Sequence, residues 1–326
     1  MKLNETLNIP LRSIDREIEN IIKHDKHLSN SDLLSKSIIK LVNAGGKRIR
    51  PLMVVVGSRF GPSPDKKQIW QLAAIAEFIH AASLIHDDII DDSPLRRGQP
   101  ALHIQLGIER AIYLGNYMSA RVMELVSQYS ADQERYAYDL SSLVTTQLCL
   151  GEYQQLTHKY DYGITIEQYL EKTKNKTAGL MASCLQIGAR AAKAPEEVYT
   201  LLYQFGEKLG MSFQIRDDLL DFIQTSHTLG KPAGNDLKSG QVTLPVLFAL
   251  QDKACAALIA SIDAASSSEE VQLAIEAISK SDALAQTEAL SNQYLTEAQH
   301  IIEQLADYPA HRDLQALLDY FSGRDY

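Results

Sequence analysis

The sequence predicts an all-α protein, and three observations carry that prediction. Apolar residues recur at three-to-four spacing through long stretches, strand-like alternation over several residues is absent, and Pro and Gly fall mostly between the stretches. The periodic stretches are Ile14–Ile22, Leu33–Val42, Gln68–Ile90, Arg110–Val126, Ala137–Leu156, Thr177–Ala192, Val198–Phe222 and Leu284–Leu305. Val54, Val55 and Val56 are β-branched, yet they lie within Leu52–Phe60, between Pro51 and Gly61, and read as helix. Breaks at Gly45-Gly46, Gly61-Pro62, Ser93-Pro94, Ala194-Pro195 and 229–245 punctuate the chain. No low-complexity linker or composition break divides it. The economical reading is one domain over 1–326, a single large helical bundle whose long helices surround a deep central cavity.

Composition narrows the function. A chain of 326 residues with 45% hydrophobic content can bury a large core. Its net charge of −9 argues against nucleic acid as the main partner, because a phosphate-backbone binder carries a basic face. Three cysteines, Cys149, Cys184 and Cys255, are scattered in apolar helical patterns and suit neither a disulfide framework nor a zinc site. The start, Met1-Lys2-Leu3-Asn4-Glu5, lacks the apolar core of a signal peptide, and no uncharged apolar run reaches membrane-spanning length. A soluble cytoplasmic protein is expected.

The first chemically marked segment is Gly45-Gly46-Lys47-Arg48-Ile49-Arg50-Pro51. Paired glycines let backbone approach a ligand, and the helix that follows aims free N–H groups and its positive dipole end at an anion. Lys47 and Arg50, three apart, reach the same anion if the turn is helical. Three cations in four residues also describe a solvated patch; the glycines before and the helix after favour phosphate. The spacing is not that of a P-loop.

Next, the helix Gln68–Ile90 runs into His86-Asp87-Asp88-Ile89-Ile90-Asp91-Asp92 and stops at Ser93-Pro94, with Arg96 and Arg97 just beyond. Asp87 and Asp91 stand one turn apart on one face. Like charges at that spacing repel and Asp is a poor helix former, so local stability does not account for four aspartates. A hard divalent cation does: two carboxylates leave an octahedral Mg2+ most of its positions for water or substrate phosphate. Arg96 and Arg97 suit phosphate oxygens. A solvated acidic helix end is the competing reading, and a second copy weighs against it. Gln214-Ile215-Arg216-Asp217-Asp218-Leu219-Leu220-Asp221-Phe222 repeats the spacing 130 residues on (217 minus 87), far enough for two helices to face one another and hold Mg2+ ions around one diphosphate. The Gly-Gly-Lys cluster would hold a second phosphorylated substrate directly.

Other candidates lie on helices between and beside the motifs. Lys176-Thr177 sits at a predicted helix start, where Lys and hydroxyl meet phosphate or simply form an exposed first turn. Gln214 shares a face with Asp217. His80, two turns before Asp87, is either a ligand or a satisfied core histidine. Glu152 and Gln155 form a polar pair in an apolar helix. The segment 229–240, with Lys231 and Lys238 among its Gly and Pro breaks, reads as a lid over phosphate.

Together, Gly-Gly-Lys-Arg-Ile-Arg-Pro, His-Asp-Asp-Ile-Ile-Asp-Asp with Arg-Arg after it, Lys-Thr, Gln-Ile-Arg-Asp-Asp-Leu-Leu-Asp-Phe and Gly-Lys-Pro-x-Gly-Asn-Asp-Leu resemble the trans-type polyprenyl diphosphate synthases, in order and over roughly 40–250. Within that family the chain is most similar to the catalytic component 2 of bacterial heptaprenyl diphosphate synthases, through Ala82-Ser83-Leu84-Ile85-His86 and Val242-Thr243-Leu244-Pro245. The resemblance implies an all-α isoprenoid-synthase fold and a catalytic set of Asp87, Asp88, Asp91, Asp217, Asp218 and Asp221. Of these, Asp87, Asp91 and Asp217 would bind Mg2+, three ions per active site. It assigns Lys47, Arg50, His80 and Arg97 to isopentenyl diphosphate, and Arg96, Lys176, Thr177, Gln214 and Lys231 to the allylic diphosphate. It further implies a homodimer or a complex with a small non-catalytic subunit, and a product that partitions to the membrane and supplies quinone side chains. Two departures stand out. Gln241 replaces the Lys that many relatives carry two residues before Thr-Leu-Pro, with Lys238 nearby, and the C-terminus offers only Arg324 as a basic tail.

The implied chemistry is ionisation of the allylic diphosphate followed by alkylation of the isopentenyl double bond, with water excluded. A terpene cyclase needs neither Gly45–Arg50 nor the second aspartate motif, and a non-catalytic partner is free to lose carboxylates that both stand here. Product length is expected to follow the helix face behind Asp87. Ser83 and Ala82 are small, Ile79 is the first narrowing residue, and the face continues to Leu72, about 22 Å away at about 1.5 Å per residue. Six to eight isoprene units, about C30–C40, are expected, with a C20 product as the alternative.

Overall fold

A computed structural model describes residues 2–29, 31–43, 45–127, 135–223 and 234–323, the side chains of 135–143 excepted. The protein is all-α, as its periodicity predicts: apart from one hairpin of two-residue strands, the regular elements of the described residues are helical. In chain order the helices are α1 (Leu3–Thr6), α2 (Leu11–Lys23), α3 (Leu33–Asn43), α4 (Ile49–Ser58), α5 (Lys66–Ile90), α6 (Leu102–Leu106), α7 (Ile108–Ser127), α8 (Arg135–Thr157), α9 (Ile166–Thr173), α10 (Gly179–Ala191), α11 (Glu196–Ile223), α12 (Asn235–Lys238), α13 (Leu244–Ala249), α14 (Lys253–Ile259), α15 (Ser268–Lys280), α16 (Ala283–Gln304) and α17 (His311–Ser322). A π-helical segment, Lys174–Ala178, joins α9 to α10. The residues group into two compact units: Met1–Thr145 with Ser183–Tyr203 and Asp307–Ala316, and Thr146–Ala182 with Gln204–Ala306 and Leu317–Tyr326.

In the first unit α5 is the centre. Asp65 caps it, its carboxylate accepting from the Lys67 and Gln68 amides at 2.8 and 3.2 Å. It then runs 25 residues with Leu72, Ala73, Ala74, Ile75, Ala76, Phe78, Ile79, Ala82 and Ile85 all buried. Its apolar surface goes all the way round because α2, α4 and α7 pack against it. Length and composition alone would let α5 cross a membrane, but its apolar window is largely buried inside the protein, as in a core helix. Each fully buried Leu, Ile or Phe contributes about 1.5–3 kcal/mol. Helix α2 shows the simpler case: Ile14, Ile18 and Ile22 fall four apart, and all three are buried.

After α5 the chain turns through strands β1 (Leu95–Arg96) and β2 (Gln99–Pro100), paired antiparallel with Leu95 opposite Pro100. The two turn residues, Arg97 and Gly98, both have positive φ (51° and 74°), as a two-residue hairpin of matching twist requires.

The second unit has its own core, with Tyr169, Ile215, Phe222, Leu237, Leu244, Ile259, Ile275 and Ile278 buried together. Helix α9 opens with a capping box between Thr165 and Gln168, and α15 with one between Ser267 and Glu270. The sequence reading leaves out α12 to α15; α12, α13 and α14 are only 4, 6 and 7 residues long, while α15 buries Val271, Ala274, Ile275 and Ile278 along 13 residues. Cys149, Cys184 and Cys255 are all free thiols.

Candidate active site

In the first unit the glycine-rich segment lies over the α5 side chains. Arg48 precedes α4 in a left-handed conformation, φ 50° and ψ 35°, so Lys47 and Arg50 are not on one helical turn as their spacing suggests. Lys47 lies outside the helix, exposed, and Arg50 lies within it, half-buried. Arg97 reaches back from the hairpin, and its Nη1 donates to the Gly45 carbonyl. A Cβ on Gly46 would stand 2.9 Å from that guanidinium, and the positive φ of 142° itself favours glycine there. Beneath them, half-buried His80 is held neutral: burial pushes its imidazole well below the usual range, and Arg50, Arg97, Arg96 and Arg48 push the same way. Burial also lowers Arg50, whose Nε finds no hydrogen-bond partner among protein groups. A buried guanidinium donor without an acceptor, beside a neutral imidazole and two further cations, is what a diphosphate oxygen would complete.

The first aspartate motif closes α5. The Asp91 amide donates to the Asp87 carbonyl at 2.9 Å, which sets the two carboxylates one turn apart, Asp87 half-buried and Asp91 exposed. Asp88 behaves differently. It is buried, and it accepts from Arg96 Nε at 2.7 Å and again from Arg96 Nη2, anchoring the hairpin to α5. Arg96, assigned to the allylic diphosphate, is thus engaged by Asp88. Among the described residues no three His, Cys, Asp or Glu side chains converge as a metal-binding set. A two-carboxylate donor set of Asp87 and Asp91 still fits Mg2+, which keeps several waters and takes substrate phosphate oxygens for the rest. Along the same helix Ile79 and Ala82 are buried, while half-buried Ser83 turns its hydroxyl back to the His80 carbonyl at 2.9 Å.

In the second unit the Lys176-Thr177 pair does not begin a helix, as its sequence suggests. It lies inside the π-helical segment that continues α9, an irregularity frequent at functional sites. Gly151 of α8 permits this: a Cβ there would meet the Lys176 backbone nitrogen at 2.6 Å. The Lys176 ammonium is held by Glu152 Oε1 at 2.7 Å and Gln155 Oε1 at 3.1 Å, so the polar pair in α8 serves this lysine. Thr177 donates to Gln214 Oε1 at 3.0 Å, and Gln214 Nε2 donates to Asp218 Oδ1 at 2.8 Å. Asp218 is buried, and its burial raises the carboxyl against the opposing pull of Lys172, Tyr169 and Gln214. Asp217 is half-buried on the same helix. Asp221 accepts from the Asp236 amide at 3.0 Å, and its carbonyl accepts from Gly234 at 2.8 Å, tying the start of α12 to the second motif. Lys231 lies outside the described residues, as does the first part of the expected lid, and so does Arg324. Lys238, the last residue of α12, is exposed, and Gln241 is half-buried.

Sequence reasoning missed three residues that organise these clusters. Glu77, a buried carboxylate in α5, pairs with Arg48 at 2.9 Å. Tyr169 donates to Asp218, and Lys172 lies 4.7 Å from the Tyr169 ring centroid. Glu77 was findable by the criterion that marks Glu152, a charged residue inside an otherwise apolar helical run.

A sequence description of the polyprenyl synthetase family matches residues 31–278. Heptaprenyl diphosphate synthase component 2 of Geobacillus stearothermophilus is 39% identical over 320 residues, 98% of this chain and 97% of its own length. The crystal structure of heptaprenyl diphosphate synthase from Staphylococcus aureus superposes with a TM-score of 0.89 at 31% identity, covering 100% of this chain and 99% of that one. That of polyprenyl synthase from Caulobacter crescentus, complexed with calcium and isoprenyl diphosphate, gives 0.84 at 30% identity, covering 100% and 98%.

Proposed function

This chain belongs to the polyprenyl synthetase family and is a prenyltransferase, and on that premise we propose that it condenses isopentenyl diphosphate with an allylic diphosphate, in the presence of Mg2+, to an all-trans product of about C30–C40. The observation that carries the reading is the cluster of Arg50, His80 and Arg97 beside the helix that ends in Asp87 and Asp91, with Lys47 in the glycine-rich loop that Arg97 contacts. Lys47, Arg50 and Arg97 bind the isopentenyl diphosphate, and neutral His80 donates one N–H to it. Lys176, Thr177 and Gln214 orient the allylic diphosphate, with Arg96 beside Asp88. Asp87, Asp91 and Asp217 hold Mg2+, which when bound neutralises the charge that develops on the leaving diphosphate. The calcium in the Caulobacter structure supports a divalent cation for this family.

The allylic C–O bond breaks to give an allylic cation and diphosphate. The isopentenyl double bond then forms the new C–C bond, and a proton passes to the released diphosphate. The side chains orient both substrates and exclude water, which would otherwise capture the cation. The chain works in the cytoplasm with a small companion subunit, or self-associated as the alternative; the name "component 2" of the Geobacillus relative supports a further component.

The test is incorporation of labelled isopentenyl diphosphate primed by farnesyl diphosphate, with Mg2+ or with chelator, using the chain alone and with a component 1 partner. Mg2+-dependent polyprenyl product is expected. No product in either arm overturns the function, and full-rate synthesis by the chain alone overturns the need for a companion.

A further inference from the structure

We propose that the buried pair Arg48–Glu77 is a positioning device for the isopentenyl diphosphate site, acting through Lys47 and Arg50 without touching substrate itself. Arg48 donates through Nε to Asp15 Oδ1 at 3.0 Å, through Nη1 to Glu77 Oε1 at 2.9 Å and through Nη2 to the Val42 carbonyl at 2.6 Å. One guanidinium therefore ties α2, α5 and the end of α3 to the residue that caps α4. That residue has left-handed backbone, which non-glycine residues rarely adopt and which persists only where the surroundings impose it. The three side-chain contacts supply that imposition. Lys47 precedes Arg48 and Arg50 follows two residues later, so the geometry of this one turn sets where both cations point.

Glu77 has a second effect. It is three residues before His80 on α5, so the two share a face. The pair's carboxylate also favours the charged forms of Arg50 and Arg97. Arg48, Arg50 and Arg97 would repel one another around an empty anion site, and a single buried carboxylate offsets that repulsion. The side chains of Arg48 and Glu77 are each only 5% exposed, so solvent does not screen their attraction. The pair acts on the substrate through neighbours, which makes both members positioning residues.

The inference rests on the assignment of Lys47 and Arg50 to isopentenyl diphosphate, and the experiment separates the two. The wild type, Glu77→Gln, Arg48→Gln, the double variant and Arg48→Lys are compared by steady-state kinetics, and by calorimetric titration with isopentenyl diphosphate in the absence of primer. Each single Gln variant is expected to raise the KM and the Kd for isopentenyl diphosphate about tenfold or more, with the KM for farnesyl diphosphate within about twofold. The double variant should be no worse than either single, because each single already breaks the pair. Arg48→Lys should recover part of the loss, since it restores the charge without the fork. Circular dichroism melts check folding; if a single Gln variant fails to fold, Arg48→Lys against wild type carries the comparison. Equal loss for both substrates, unchanged isopentenyl affinity, or multiplicative effects in the double variant would overturn the positioning role while leaving Mg2+-dependent turnover by the wild type intact. Failure of the wild type to bind isopentenyl diphosphate overturns the underlying assignment instead.

Discussion

The Tyr169 hydroxyl donates to Asp218 Oδ2 at 2.6 Å, and that bond divides the roles of two adjacent aspartates. Asp218 spends both carboxylate oxygens on Tyr169 and Gln214, and through Gln214 it fixes the Thr177 hydroxyl. Asp88 accepts two bonds from Arg96, both through Oδ1. In each motif the second aspartate is engaged by neighbouring side chains, which is consistent with the proposal that Asp87, Asp91 and Asp217 are the metal carboxylates.

The division is testable by paired substitutions. Asp87→Ala and Asp217→Ala should each lower kcat by about 10^2-fold or more, because charge stabilisation at the leaving group is lost, with little change in melting temperature. Asp218→Ala should lower stability by about 1–3 kcal/mol, since the Tyr169 hydroxyl and the Gln214 amide are left without their acceptor. Chemical denaturation together with turnover distinguishes the two classes. An Asp217→Ala variant with wild-type turnover would remove it from the metal set.

Lys47→Ala and Arg50→Ala should weaken isopentenyl diphosphate by about 1.5–3 kcal/mol each, the worth of a charge-assisted contact, and should leave the allylic substrate nearly unchanged. Arg50 should show the larger effect, because it is the more buried of the two and its Nε has no protein acceptor. KM values measured with each substrate in turn check this. Equal weakening of both substrates would argue against the separate diphosphate sites.

How much of this was legible beforehand follows from what a sequence displays. Repeated motifs and periodicity are local, so the aspartate pairs, the Gly45–Arg50 cluster and α5 could be read directly. Contacts between distant residues are not local: Arg48 meets Glu77 across 29 positions, and Tyr169 meets Asp218 across 49. The left-handed turn at Arg48 was hidden because Arg carries no signal for positive φ, as Gly or Asn would. The π-helical setting of Lys176 depends on how closely Gly151 approaches, which spacing does not encode. Helices α12 to α14 are too short for periodicity to rise above their turns, whereas α15, with Val271, Ala274, Ile275 and Ile278 buried at helical spacing, carries a readable stripe that the sequence reading leaves out.

The pH dependence of stability should report on His80. Its imidazole is depressed in the fold by burial and by the surrounding arginines, below its ordinary value of about 6.5. Above that value both folded and unfolded chains carry it neutral, and it contributes no slope. Below it the unfolded chain takes a proton that the folded chain refuses, so stability is lost as pH falls from about 6.5. Half-buried His86 contributes in the same direction. His80→Gln should therefore flatten the fall in unfolding free energy between pH 7 and pH 5.5, measured by urea denaturation. An unchanged slope would show that His80 titrates normally in the fold.

Product length should be set along α5. Chain growth away from Asp87 passes Ser83 and Ala82, then Ile79, then Ala76 and Ile75, then Leu72; all but Ser83 are buried. At about 1.5 Å per residue that path is about 22 Å long, room for about five isoprene units of about 4–5 Å each by carbon–carbon geometry. Continuing to Asp65, the cap of the helix, allows roughly seven. A product of about six to eight units is expected from the wild type. Ser83→Phe and Ala82→Phe should both shorten it to C15–C20 by filling the path just behind the metal carboxylates. Ala82→Phe should also cost about 1–3 kcal/mol of stability, because Ala82 is only 3% exposed and a phenyl ring overpacks its surroundings. Ser83 is half-buried and should accept the ring more readily. Ile79→Ala should move the distribution to longer products if Ile79 is the narrowing point. Chromatography of the dephosphorylated products, from equal turnovers of the wild type and the three variants, reads all four. A wild type that stops at C20, or Phe variants that leave the length unchanged, would place the growing chain somewhere other than along α5.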